Sequence, residues 1–279
     1  SLDSAQALLT RSLELTRASR GPADTAVAGV LVDLADLAQA RGHPDEAEEH
    51  LMAAVELLQA HDPPSPAPLA AAYTALLDVY PADGRMVEAR AAAEAAIGLS
   101  RQAFGDRHPR TAVALVEAAD LRDWEGRWSE AVPIYREAIG TLDARPGPDH
   151  QTTLEARNNL AVSRMNMGDL DGAEAVHRRI VEAIRAKPDR RPRSLADVLQ
   201  NLAVVLEEQG KPAEAESVLV EARDLYDSVL EEAHPRRAFP RLTLASVRLA
   251  QADFAGAEGA AREAVAILDG SLPGSSYVT

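Results

Sequence analysis

The residues with the most evident chemistry are seven histidines, two tryptophans and forty-four acidic side chains, and none of them is spaced for catalysis. His108, His150 and His234 fall 42 and 84 residues apart, each just ahead of a helical segment. Residues one structural repeat apart cannot share an ion, so their expected role is to cap helices. His43, His50, His61 and His177 show no ligand spacing. Serine, histidine and aspartate occur in no arrangement resembling a triad, and no glycine-rich phosphate loop follows a strand, because no strand pattern exists. There is no cysteine, which removes thiolate nucleophiles, disulfides and thiolate-bound zinc. The expectation is a protein that is not an enzyme and needs neither cofactor nor metal.

Charge narrows the partners. A net charge of −15 and a pI near 4.9 argue against nucleic acid, whose phosphates demand a basic face. The same balance argues against anionic membrane surfaces, and no apolar run approaches the roughly 18–20 residues that span a bilayer. The N-terminal Ser1-Leu2-Asp3-Ser4 has no signal-peptide character, so the expected compartment is the cytoplasm.

The elements that must position any site are set by a repeat. Gly42, Gly84, Gly126, Gly168 and Gly210 are spaced by 42 residues, and Ala252 takes the sixth position. Five residues after each stands an alanine: Ala47, Ala89, Ala131, Ala173, Ala215 and Ala257. Seven before come Ala35, Leu77, Ala119, Ala161, Ala203 and Ala245; twelve after come Ala54, Ala96, Ala138, Ile180, Ala222 and Ala264. Within each unit apolar residues recur at helical spacing, so a unit is two helices, A and B. The glycine ends helix A, Pro44 and Pro212 open helix B, and small residues mark where the two axes approach. Such a pair cannot bury its apolar faces alone, so neighbours stack. Segments such as Asp62-Pro63-Pro64-Ser65-Pro66, Gly147-Pro148-Asp149-His150 and Lys187-Pro188-Asp189 link one unit to the next.

The phase Leu-Ala, Gly, Ala, Ala resembles the tetratricopeptide (TPR) pattern in its longer, kinesin-light-chain-like form, as appended to bacterial signalling proteins. The match is closest in Asn158-Asn159-Leu160-Ala161, Gly168 and Ala173-Glu174, and again in Asn201-Leu202-Ala203, Gly210 and Ala215-Glu216. It implies an all-α, right-handed α-solenoid: one leading B helix and six A–B pairs. We expect a single domain over 1–269, with repeats at about 28–69, 70–111, 112–153, 154–195, 196–237 and 238–269 after a half repeat, 1–27. A flexible tail, 270–279, is expected to follow. A chain that opens halfway through a repeat and lacks a polar end cap is expected to be part of a longer protein.

Helix A lines the concave face in arrays of this family. The positions that would face the groove lie 13, 10, 9, 6, 3 and 2 residues before the glycine column, and none holds a lysine or arginine. They give an acidic stretch, Asp33, Asp36, Asp78, Glu117, Asp120 and Asp123, with Trp124 beside it, then Asn158, Asn159 and Asn201. In repeat 6 they are largely apolar: Phe239, Leu242 and Leu249. Side-chain amides can pair with both the N–H and the C=O of an extended peptide, and Asn159 and Asn201 are expected to hold successive backbone groups. The expected partner is a protein or peptide segment of basic character. Alternatives are self-association through uncapped end helices, or a regulatory role in a larger signalling protein such as a bacterial serine/threonine kinase.

Two local expectations concern proline and arginine. Pro81 should end its helix early, whereas Pro133 falls near the start of one and should be tolerated. Arg157, Arg164, Arg241 and Arg248 replace apolar residues and should lay their stems on the core with their heads paired or in water.

Overall fold

The structure, a computed structural model, describes residues 2–61, 63–186 and 192–271. Asp62, Lys187-Pro188-Asp189 and residues 272–279 of the expected tail lie outside them. The described residues form thirteen α-helices and two short 3-10 turns, with no strand among them. They divide into two compact units, residues 1–148 and 149–279.

The first unit holds α1 (Leu2–Arg20), α2 (Thr25–Ala40), α3 (Pro44–Ala60), α4 (Pro66–Leu76), α5 (Met86–Phe104), α6 (Pro109–Trp124) and α7 (Trp128–Ala144). The second holds α8 (Gln151–Asn166), α9 (Leu170–Arg185), α10 (Pro192–Glu208), α11 (Pro212–Val229), α12 (Ala238–Ala250) and α13 (Phe254–Ser271). Even-numbered helices are the A helices and odd-numbered ones the B helices. Each unit is therefore an α-solenoid stack of helical hairpins, in which a helix packs mainly on its neighbours in sequence.

The repeat columns explain the hairpins. All five glycines of the column have φ between +71° and +81°, the left-handed conformation that reverses the chain after helix A. Ala252 adopts the same conformation, φ +63°, and is the one described non-glycine residue to do so. Ala47, Ala89, Ala131, Ala173 and Ala215 are fully buried at the A–B crossings, opposite the equally buried Ala35, Ala119, Ala161 and Ala203.

Pro81 acts as expected. Its ring would clash with the carbonyl four residues back, at Leu77. α4 stops at Leu76, and turns lead into a 3-10 segment, Tyr80–Asp83. Pro133 sits inside α7 near its start without interrupting it. The three phased histidines cap helical turns: the imidazoles of His108, His150 and His234 accept from the backbone N–H of Arg110, Thr152 and Arg236 at 3.2, 3.3 and 3.2 Å. Arg241 is 7% exposed, with its guanidinium on Asp227 at 2.6 Å and Glu263 at 3.0 Å. Arg164 and Arg248 each donate to a backbone carbonyl, of Gly172 and Gly256, eight residues along, at 3.3 Å.

Candidate functional site

The expected groove residues come together as two clusters, one in each unit. In the first unit the acidic positions lie on three successive A elements: Asp33 and Asp36 on α2, Asp78 in the turn after α4, and Glu117, Asp120 and Asp123 on α6. Their charges reach one another. Burial raises the Asp36 carboxyl, and Asp33 raises it further. Asp78 is raised by burial and then by Asp36. Glu117 is pushed up to about 7, by burial first and then by Asp120 and Asp78. Among the described residues no lysine or arginine pairs with Asp33, Asp36, Asp78 or Glu117, although ion pairs are frequent elsewhere. Asp33, Asp36, Asp78 and Glu117 thus form a line of like charges.

Its far end is built differently. The Tyr135 hydroxyl, from α7, donates to Asp120 and to Asp123, the latter at 3.0 Å. Burial and the two carboxylates hold this phenol well above its usual range, so it stays a donor. Asp120 and Asp123 are therefore half-buried and oriented by a core residue, rather than free to swing toward a ligand. Trp124, at the end of α6, is 71% exposed. Val116, counted among the groove positions, is instead buried. Trp128, at the start of α7, is half-buried beside the Gly126 turn.

In the second unit the asparagines form a ladder from α8 to α10. Asn201 donates from Nδ2 to Asn158 Oδ1 at 3.0 Å, and Asn158 Nδ2 approaches Asn159 Oδ1 at 3.5 Å. Asn201 is thus tied across the repeat to Asn158, the neighbour of Asn159. The ladder continues to α12, where Gln200 donates to Thr243 at 2.6 Å. Below it, α8, α9 and α10 enclose a cavity of about 140 Å³. Leu154, Ile180, Ile184 and Val198 form its apolar floor; Gln151, Glu155, Asn158, Asn159, Ser194 and Asp197 form its polar wall.

Sequence reasoning missed this cavity, yet a signal was present. Fourteen residues before the glycine column every other repeat has alanine: Ala28, Ala70, Ala112, Ala196 and Ala238. Repeat 4 has Leu154. Twelve after, Ile180 is likewise the one large residue among alanines. Two bulky side chains thus stand where all other repeats have methyls, and both line the cavity.

Another missed residue is His177 of α9. It occupies the core column of Leu51, Ala93, Tyr135 and Leu219, and is 0% exposed. Neither ring nitrogen has a partner among the described residues. Burial lowers its pKa to about 4, so at neutral pH the ring is uncharged. Among the described residues no group of histidines and carboxylates is arranged to hold a metal ion, and no helix is long and apolar enough to cross a membrane.

The model of the MalT-like TPR region matches residues 1–241. The chain belongs to that family. Solved structures place this TPR chain in the same fold. It is similar to BtubC (BKLC) from P. vanneervenii, with 24% identity, TM-score 0.71, and coverage of 82% of this chain and 92% of that one. It is also similar to a signal transduction ATPase with numerous domains from Pyrococcus horikoshii, which carries a tetratricopeptide repeat sensor. There the identity is 14% and the TM-score 0.74, over 95% of this chain and 40% of that one. The apo form of RapI matches at 9% identity and TM-score 0.67, over 97% and 92% of the two chains. No curated protein matches the sequence. At these identities the likeness is one of fold, and TPR folds serve many roles.

Proposed function

We propose that this TPR chain is a non-catalytic protein-interaction scaffold whose A-helix face takes an extended, basic segment of a partner protein. The observation that carries this reading is the unpaired row Asp36, Asp78 and Glu117, with its raised carboxyls. Like charges held together and partly desolvated cost the fold free energy. A lysine- or arginine-bearing segment laid along them removes that repulsion, so part of its binding free energy comes from relief of a cost already present. The asparagine ladder suits the same ligand differently, because each carboxamide retains donor and acceptor capacity for a peptide backbone. The lineage of scaffold folds around it, including a repeat array described as a sensor, fits a role in recognition.

A peptide-library screen against the whole chain tests the proposal. Enriched sequences should carry clustered basic residues, and their binding should weaken as salt rises, because the row is exposed to screening. Enrichment of acidic or uncharged sequences would dismiss it.

A second reading is self-association through an end helix. α1 has no buried residue and presents Leu8 and Leu15, spaced by two turns, to solvent. Native mass spectrometry across concentration separates the two, since only this reading requires dimers without ligand.

A further inference from the structure

The cavity in the second unit has the composition of a side-chain subsite rather than of a packing defect. A packing void is apolar throughout. This one has an apolar floor, Leu154, Ile180, Ile184 and Val198, under a wall made of two carboxylates, three carboxamides and a hydroxyl. No lysine or arginine lines it. Its two carboxylates are not equivalent. Asp197 already accepts from the Tyr226 hydroxyl at 2.5 Å and from Arg236 at 2.6 Å, so its charge is shared. Glu155 is exposed, and it accepts from the side-chain amide of Gln151 at 2.6 Å without a cation beside it among the described residues.

We propose that this cavity is an arginine subsite, reading one arginine side chain of a peptide that crosses α8 and α10. This rests on the reading of the A-helix face as a peptide groove, and adds to it the side chain read and the place. The methylene stem covers Leu154 and Val198, and the guanidinium lies against Glu155, with the carboxamide oxygens of Asn158 and Asn159 and the Ser194 hydroxyl as further acceptors. Arginine satisfies this wall better than the alternatives. Its planar fork presents five donors and no acceptor, and it is weakly hydrated, so desolvating it costs less than desolvating an ammonium. A methionine or leucine would fill the floor but offer Glu155 no opposite charge and the carboxamide oxygens no donor. The volume, about 140 Å³, holds several waters and therefore one long side chain, not a stretch of backbone. The inter-amide bond from Asn201 to Asn158 fixes the wall before any ligand arrives.

The experiment is an NMR titration of the 279-residue chain with the blocked peptide acetyl-Ala-Ala-Arg-Ala-Ala-amide. Two counterparts carry citrulline, which keeps shape and loses charge, or methionine at the central position. The arginine peptide should shift saturably the amide signals of residues 151–159 and 194–201. The citrulline and methionine peptides should bind about tenfold more weakly. Glu155→Gln should bring the arginine peptide down to the citrulline level and leave the citrulline peptide unchanged. Equal binding of arginine and citrulline, or no effect of Glu155→Gln, overturns the subsite. An Asp36→Asn/Asp78→Asn double variant separates this claim from the acidic row. If basic peptides respond to that variant while the signals of residues 151–159 stay still, the subsite fails and the row stands. If the cavity signals persist while basic peptides ignore the double variant, the subsite stands and the row fails.

Discussion

Leu154 of α8 and Ile180 of α9 are buried in one cluster and together floor the cavity, at two columns that hold alanine in every other repeat. That pairing makes a counterintuitive prediction. Leu154→Ala gives repeat 4 the residue the other five repeats already tolerate, yet it should cost about 2–5 kcal/mol, because Leu154 is buried against Ile180 and its neighbours and its loss enlarges a cavity already present. Urea denaturation checks this. A midpoint unchanged from wild type would mean that α8 and α9 settle to the spacing of the other hairpins.

His177 should make stability depend on acid. In the unfolded chain it takes up a proton below about its ordinary 6.5, whereas burial holds the folded ring neutral down to about 4. Its contribution is fully present above pH 6.5 and is lost as pH falls toward 4, over a range worth roughly 3 kcal/mol. His177→Leu, which installs the residue of Leu51 and Leu219, should abolish that dependence. At neutral pH it should also add about 1–3 kcal/mol by removing two buried ring nitrogens that have no partner. Thermal melts of both proteins between pH 4 and 7.5 read the difference.

Glu117 should act in the opposite sense. Its folded pKa, about 7, lies above the ordinary 4.5, so the folded state binds the proton more tightly. The contribution of Glu117 to stability is greatest below pH 4.5 and is lost as pH rises through 7. Glu117→Gln should flatten that slope and gain roughly 1–3 kcal/mol at pH 8, with the partial exposure of the side chain favouring the lower figure. Equal melting temperatures of variant and wild type at pH 8 would show that the row is not under repulsion.

Ala252 departs from the glycine column while keeping its left-handed φ of +63°. An alanine in that conformation is strained by about 1–2 kcal/mol, part of which glycine gives back through the greater entropy of its unfolded state. Ala252→Gly should raise stability by about 1 kcal/mol, measured by denaturant midpoint. A loss of stability would place the turn's strain elsewhere.

The repeat was legible in the sequence because a left-handed turn and a close helix crossing leave few choices of residue. Gly168 and Ala173 are nearly dictated by their backbone surroundings, and so a six-fold column survives. Pro81 was legible for the same reason, since its ring forbids the turn before it. What escaped notice depends on side chains choosing partners. That Asn201 donates to Asn158 across the repeat is one such choice, which residue types alone do not reveal. Tyr135 lies in a core column, and nothing in that pattern shows its hydroxyl extending through to Asp120 and Asp123. The acidic row was visible as residue types, but that no described lysine or arginine pairs with Asp33, Asp36, Asp78 or Glu117 depends on where side chains of other helices reach.

On the proposed function, Asp36 and Asp78 attract a basic partner segment. The direct measurement is calorimetric titration of the most enriched basic library peptide into wild type and into Asp36→Lys/Asp78→Lys, at low and high salt and at pH 5.5 and 8. Binding to wild type should weaken with salt and tighten from pH 5.5 to 8 as Glu117 ionises, and should fall at least about tenfold in the charge-reversed variant. Binding that is the same in both proteins and indifferent to salt would contradict it.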